Sequence, residues 1–211
     1  MFQIYLNVGI EHIIDFSAYD HMLFLLTLCG VYMLQQWKQI IVLVTAFTVG
    51  HSLSLALATL QIVSIPSTIV EIGIASSILA TAIGNLLTPS GVNRSGRKIK
   101  YIIALFFGII HGFGFSNYLV GLLGDGNIFA EDIKFFDSPS DLVGLLGDGN
   151  IFIPLLAFNL GVEIAQLIVV TVILLFAAIL TTFLKISQRD WDLVVSGAGI
   201  GVSFVILSQF I

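Results

Sequence analysis

The chain has 211 residues, of which 57% are hydrophobic and only 10% are charged, and its mean hydropathy is +1.06. A soluble domain carries about 25% charged residues, so this composition excludes an ordinary water-soluble protein. With eight Lys and Arg residues and a formal net charge of −5, the sequence also gives no sign of a nucleic-acid-binding surface. The lipid bilayer is therefore the expected surrounding of most of the chain.

Six apolar stretches, each long enough to cross roughly 30 Å of hydrocarbon as a helix, follow one another along the chain. They predict an all-α integral membrane protein, a single transmembrane domain over residues 1–211 built as a bundle of six helices. The predicted spans are 20–36, 39–60, 67–87, 101–123, 153–184 and 191–211. The N-terminus lacks the basic region and the cleavage site of a secretory signal, so the mature chain is expected to begin at Met1.

Basic residues are concentrated in alternate connections between the predicted spans. Cytoplasmic loops carry an excess of Lys and Arg, so these connections are predicted to face the cytoplasm. Both termini and the loop 124–152 are then expected outside, in a multi-pass protein of the bacterial inner membrane. The basic residues of the cytoplasmic connections are Lys38, Arg94, Arg97, Lys98, Lys100, Lys185 and Arg189, and only Lys134 lies elsewhere.

The outer loop contains a duplicated segment. Leu119–Phe129, with the sequence LVGLLGDGNIF, recurs letter for letter as Leu142–Phe152. A recent tandem insertion explains such a local repeat more simply than a repeated binding motif does, so no functional site is predicted there.

Ionisable side chains are rare inside the predicted spans, where each costs several kcal/mol unless it is paired or faces water. At a rise of about 1.5 Å per residue, His51 and His111 are expected about 18 Å and about 15 Å from the cytoplasmic ends of their spans. Glu71 and Glu163 are expected about 6 Å and about 15 Å from the outer ends. The sequence therefore predicts a polar, cation-handling site in the middle and outer half of the bilayer.

Further polar side chains support this site. Asn159, Glu163 and Gln166 are spaced i, i+4 and i+7, which places two amides and a carboxylate on one stripe of the fifth span. Such a stripe must face protein or water. The hydroxyl of Ser52, next to His51, either orients the imidazole or bonds a backbone carbonyl.

Five separated blocks of the sequence form a specific combination that covers nearly the whole chain. They are Gly9-Ile-Glu-His12 with Tyr19-Asp-His-Met-Leu-Phe-Leu-Leu26, Phe47-Thr-Val-Gly-His-Ser52, Glu71-Ile-Gly-Ile-Ala-Ser-Ser-Ile78, His111-Gly-Phe-Gly-Phe115, and Phe158-Asn-Leu-Gly-Val-Glu163 with Gln166. Together they resemble the HupE/UreJ membrane proteins, which accompany nickel enzymes such as hydrogenase and urease and are regarded as nickel or cobalt permeases. Seven residues separate His12 from Asp20, more than in the familiar form of this motif.

The resemblance implies a set of metal ligands drawn from most of the spans. Imidazole and carboxylate ligands suit a divalent nickel, cobalt or zinc ion, and the absence of a Cys or Met cluster argues against a copper(I) path. The expected function is therefore binding of such an ion and its transport across the membrane. The implied ligands are His12, Asp20, His21, His51, Glu71, His111 and Glu163.

Two other functions fit the same residues. Histidines with Asp and Ser inside a helical bundle also look similar to the alkaline-ceramidase-like membrane hydrolases, in which zinc activates water toward a lipid amide or ester. The sequence has no HExxH or GxSxG motif to support that function or a peptide hydrolase. A third interpretation is a noncatalytic subunit of a membrane complex. The sequence leaves open whether the chain forms a homo-oligomer or binds other membrane subunits.

Overall fold

The computed structural model describes residues 2–15, 19–59, 62–63, 65–88, 97–124 and 152–210. Within these ranges the chain forms seven α-helices, one short 3-10 turn and no strand, which confirms the prediction of an all-α membrane protein. The helices are α1 (Phe2–Ile14), α2 (Tyr19–Cys29), α3 (Trp37–Thr59), α4 (Ser67–Leu87), α5 (Arg97–Gly124), α6 (Phe152–Thr182) and α7 (Gln188–Ser208), and the turn is Leu34–Gln36. Most of the duplicated segment and nearly all of the loop 124–152 lie outside the described residues.

Four helical segments of the described chain are long and apolar enough to cross a membrane. Large apolar side chains on these helices face outward, such as Leu53, which is 51% exposed, and Val172, which is 61% exposed. An apolar exterior of this kind suits lipid, whose tails are as apolar as these side chains. The four segments are Leu34–Ala58, Ser67–Leu87, Ile153–Thr182 and Gln188–Ser208.

Helices α3 to α7 begin and end within four residues of the second to sixth predicted spans. The prediction of a continuous first span over 20–36 is wrong, because α2 ends at Cys29. The indole nitrogen of Trp191 donates a 2.7 Å hydrogen bond to the carbonyl of Gly30, an acceptor that a longer helix would need for its own backbone. With 11 residues, α2 is too short to cross the bilayer alone.

Helix α1 was not predicted, since its 13 residues span only about 20 Å. It packs closely along α6, where Gly161 lies against Leu6 and Ile10. A side chain at this glycine would collide with the backbone of α1, so its absence lets the two helices approach. The ring of Phe158, one turn before Gly161, contacts the ring of His12, so α1 and α6 run antiparallel. This packing brings His12 into the bundle.

Helices α3 and α5 make the other glycine-mediated crossing. Gly108 lies against the backbone of Phe47, and Gly112, one turn later, lies against the backbone of His51. The later glycine of α5 contacts the later residue of α3, so α3 and α5 are parallel. Gly50 of α3 meets the backbone of α5 in the same way.

Helix α6 runs antiparallel to α3 as well as to α1. The ring of Phe158 on α6 stacks on that of His51 on α3. Five residues further along α6, Glu163 is bonded to Thr45, which precedes His51 by six residues on α3. Helix α1 is therefore parallel to α3, and its Phe2 end points to the side on which α3 begins. The distribution of basic residues predicted the N-terminus on the opposite side, and the difference arises because helix α1 was not predicted.

Candidate metal centre

The four histidines of the chain come from four helices and meet in one cluster. His12 of α1 and His21 of α2 have ring centroids 4.6 Å apart, and His51 of α3 lies 5.8 Å from His12. His111 of α5 lies 5.5 Å from His21. One nitrogen from each of His12, His21 and His51 can be chosen so that all three lie within 4.8 Å of one another. These nitrogens are close enough to bind a single ion.

Two of the histidines are oriented by a hydrogen bond on the ring nitrogen that faces away from the cluster. The Nδ1 atom of His21 donates to the Oδ1 atom of Asp20 at 3.0 Å, and the Nδ1 atom of His111 donates to the Phe107 carbonyl at 2.9 Å. In a neutral imidazole this leaves Nε2 as an acceptor with a free lone pair. Metal-binding histidines in proteins are usually fixed by such a bond to a carboxylate or a backbone carbonyl.

Within the described part of the chain, every histidine of the cluster has a buried ring nitrogen without a hydrogen-bond partner. Native proteins satisfy the great majority of their buried polar atoms, so four such histidines in one place require an explanation. A metal ion bound between His12, His21 and His51 would provide one for these three, because it would coordinate one free lone pair on each. The unpartnered atoms are the Nε2 atoms of His12, His21 and His111 and both ring nitrogens of His51.

A cavity of about 900 Å³ lies next to the histidine cluster. His12, His21 and His111 line its base, and the described residues around it include no Lys or Arg. Cavities lined by one sign of charge raise the local concentration of counter-ions, so this cavity attracts cations. Its acidic lining residues are Glu11, Asp15, Asp20 and Glu71.

Three phenylalanines form an aromatic layer on the side of the cluster away from the cavity. On each of α2, α3 and α5, one phenylalanine lies one turn from the histidine of the same helix. The ring of Phe24 is 4.9 Å from that of Phe47 and 5.9 Å from that of Phe107, and it also contacts His111 at 4.8 Å. Phe24 and Phe47 are at most 1% exposed. The aromatic layer separates the histidines from the opposite half of the bundle.

The carboxylates of the expected ligand set occupy three different places. Asp20 is bonded to His21 at the base of the cavity. Glu71 of α4 lines the cavity and is exposed. Glu163 of α6 accepts a 2.7 Å hydrogen bond from the hydroxyl of Thr45, about 9 Å along α3 from His51, and does not line the cavity. The structure thus brings the histidines and Asp20 together and leaves Glu163 apart.

The supporting polar residues form hydrogen bonds that do not involve the histidines. The Ser52 hydroxyl donates to the Thr48 carbonyl of its own helix, at 2.7 Å. Gln166 is fully buried and pairs with the hydroxyl of Thr48, while Asn159 donates to the Leu155 carbonyl. Gln166 therefore belongs to the α3–α6 contact with Glu163, whereas Asn159 bonds its own helix.

Sequence reasoning missed Glu11 and the aromatic layer. The recurrence of a phenylalanine three or four residues from His21, His51 and His111 was a usable signal, because such residues share a helix face. Glu11 precedes His12 directly, and only the unpredicted helix α1 shows that it lines the cavity.

Comparison with known proteins identifies the family. A family model described as HupE / UreJ protein matches residues 1–137 and 140–210, which is nearly the whole chain. No curated protein and no solved structure matches it. The match covers α1 to α5 and α6 to α7, and so includes all four histidines and Glu163. The chain therefore belongs to the HupE/UreJ family.

Proposed function

We propose that this protein binds a divalent transition-metal ion of the nickel or cobalt type at its four histidines and carries it across the bacterial inner membrane. The HupE/UreJ family is associated with nickel and cobalt transport. The observation that carries the proposal is the convergence of four imidazoles, each with a buried, unpartnered nitrogen. Nitrogen donors of this kind suit nickel, cobalt and zinc. The acidic cavity raises the concentration of cations next to these nitrogens.

In this proposal the cavity opens to the outside and the aromatic layer faces the cytoplasm. Support comes from the basic residues, because Lys38 lies at the start of α3 and Lys100 near the start of α5, at the end of the bundle opposite the cavity. The metal enters past Glu71 and Asp20, exchanges water for imidazole nitrogens, and leaves inward after the helices around the aromatic layer move apart.

Metal binding by purified protein tests the first part. The wild type, the double variant His51→Ala/His111→Ala and the single variant His12→Gln are dialysed in detergent against nickel, cobalt or zinc, and bound metal is measured by elemental analysis. We expect about one ion per chain in the wild type, none in the double variant, and at least tenfold weaker binding in His12→Gln. Circular dichroism and gel filtration check that each variant is folded.

Transport is then measured in sealed proteoliposomes loaded with a metal-sensitive dye. Metal entry that the histidine variants abolish supports the proposal. Folded wild-type protein that binds no metal after metal-replete growth would refute it. Stoichiometric metal without flux, together with turnover of a lipid amide or ester, would instead support the zinc hydrolase suggested by the sequence.

A further inference from the structure

Glu163 lies in a second polar region, on the contact between α6 and α3. On α6, Asn159, Glu163 and Gln166 form one stripe about 10 Å long. On α3, the hydroxyl of Thr45 donates to the Oε1 atom of Glu163 at 2.7 Å, and the hydroxyl of Thr48 pairs with the Oε1 atom of Gln166 at 2.9 Å. These five side chains, here called the oxygen row, begin beside the histidine cluster and extend away from the cavity.

The amide of Gln166 decides what the oxygen row can bind. Its side chain is fully buried, and its Nε2 atom has no partner. The one hydroxyl hydrogen of Thr48 is within bonding distance of two acceptors, the Val44 carbonyl at 3.1 Å and the Gln166 amide. Amide nitrogen and oxygen are assigned from such networks. If the amide is turned over, Thr48 donates to Val44 and accepts from Gln166, and the unpartnered atom becomes an oxygen.

Asn159 presents a second unpartnered oxygen. Its Nδ2 atom donates to the Leu155 carbonyl at 2.8 Å, and its buried Oδ1 atom has no partner. With Gln166 turned over, the oxygen row combines two free amide oxygens with the carboxylate of Glu163. The atoms of the oxygen row that lack a hydrogen-bond partner are then all oxygens. Unpartnered acceptors in a bilayer require a cation or a hydrogen-bond donor.

The charge and the donor atoms select the kind of cation. Glu163 has no ion pair within the described part of the chain, so the oxygen row carries one uncompensated negative charge when the carboxylate is ionised. One charge matches a monovalent ion. Carboxylate, amide and hydroxyl oxygens are hard ligands, whereas the nitrogen-rich cluster suits transition metals. A single proton on Glu163 would satisfy one acceptor and leave the amide oxygens unpaired.

We propose that Glu163, Gln166 and Thr45 bind a sodium ion, and that this ion is coupled to the movement of metal at the histidine cluster. The coupling rests on the proposed transport function, whereas sodium binding does not. Helix α3 links the two sites, since it carries both His51 and Thr45. A sodium ion bound in the oxygen row would neutralise the carboxylate charge of Glu163. This carboxylate lies beside the path proposed for the metal.

Sodium binding is tested on metal-free protein in detergent. The melting temperature is measured in sodium, potassium or choline chloride at equal ionic strength. For the wild type we expect sodium to raise it by about 3 °C over choline, and potassium to have a smaller effect. In Glu163→Gln the sodium shift should disappear, because the isosteric amide keeps the Thr45 bond and loses the charge. Thr171→Ala is the matched control, since Thr171 bonds its own helix two turns further along α6.

Coupling is tested in proteoliposomes with the membrane potential clamped at zero. A tenfold sodium gradient stores about 1.4 kcal/mol, enough for about tenfold metal accumulation when one sodium ion moves with each metal. We expect this accumulation in the wild type and in Thr171→Ala. Glu163→Gln should still bind metal at the histidines and should not respond to the gradient.

The outcomes separate the two proposals. Equal sodium shifts in the wild type and Glu163→Gln, or equal shifts with sodium and potassium, overturn the sodium site. Metal accumulation that follows a pH gradient and ignores sodium overturns the sodium coupling in favour of coupling to a proton. Protein that shows the sodium shift but binds no metal refutes the transport function and leaves the sodium site standing.

Discussion

The Asp20 carboxylate orients His21, a ligand of the proposed metal site. It lies 3.0 Å from the Nδ1 atom and thereby fixes both the ring orientation and the tautomer with Nε2 free. Asp20→Asn keeps the shape of the side chain and removes the charge that favours this arrangement. We expect metal affinity to fall about 10- to 100-fold with the fold intact. Isothermal titration with nickel or cobalt measures the change.

The control for this variant is Asp190→Asn. Asp190 lies in the first turn of α7, where it bonds Ser187 and not a histidine. Its substitution should leave metal affinity unchanged. Equal losses of affinity in both variants would mean that Asp20 acts through general charge or stability rather than through His21.

The sequence indicates candidate site residues, but it does not show which of them lie together. Intramembrane His and carboxylate residues are rare, so His51, His111 and Glu163 could be recognised without a structure. Their partners are decided by tertiary packing, which places Glu163 beside Thr45 and not beside the histidines. Hydropathy alone cannot show such side-chain pairing, because Thr45 and Glu163 are 118 residues apart.

Among the helices, the α3–α5 crossing depends on glycine. A Cβ atom at Gly108 would collide with the backbone of Phe47, which cannot move without displacing α3. We expect Gly108→Ala to lower the free energy of unfolding by about 1–3 kcal/mol and to weaken metal binding, because His51 and His111 move apart. Reversible unfolding in mixed micelles measures the stability.

Gly197→Ala is the matched control, since nothing lies within 4 Å of a Cβ atom at Gly197. This substitution should raise stability by up to about 1 kcal/mol, because alanine favours a helix more than glycine does. The two glycine variants should therefore change stability in opposite directions. Destabilisation of similar size in both would argue against the crossing as the cause.

Helices α3 to α7 could be predicted because each is a long apolar run with turn-forming or charged residues at its ends. The same reasoning failed for the first 36 residues. Helix α1 is too short to be recognised as a span, and α2 is ended by a hydrogen bond from Trp191, 161 residues further along the chain. Both errors have a tertiary cause: these short helices are stabilised by packing on α6 and by contacts with α4 and α7.

For the whole molecule, the orientation in the membrane is the property to test. Cys29 is the only cysteine, so a Cys29→Ala background accepts single reporter cysteines. In intact bacterial cells we expect a membrane-impermeant maleimide to label Ile62→Cys, between α3 and α4. It should label Lys185→Cys, between α6 and α7, only after the inner membrane is opened. The reverse pattern would show that the cavity faces the cytoplasm.

The N-terminus provides a second test of the same architecture. Because α1 runs parallel to α3, a cysteine introduced at the exposed residue Gln3 should behave like Lys185→Cys and not like Ile62→Cys. Labelling from outside would restore the sequence-based expectation and contradict the packing of α1 along α6.

The aromatic layer has an electrical consequence. A cavity is open on one side of it, so the transmembrane voltage falls over the part of the bundle that begins at Phe24, Phe47 and Phe107, rather than over the full bilayer. Each elementary charge gains about 2.3 kcal/mol per 100 mV. A divalent ion that crossed this part of the bundle would gain about 4.6 kcal/mol per 100 mV, which is twice the value for one charge. With the cavity facing outward as proposed, an interior-negative membrane potential would pull the ion from the histidine cluster toward the cytoplasm.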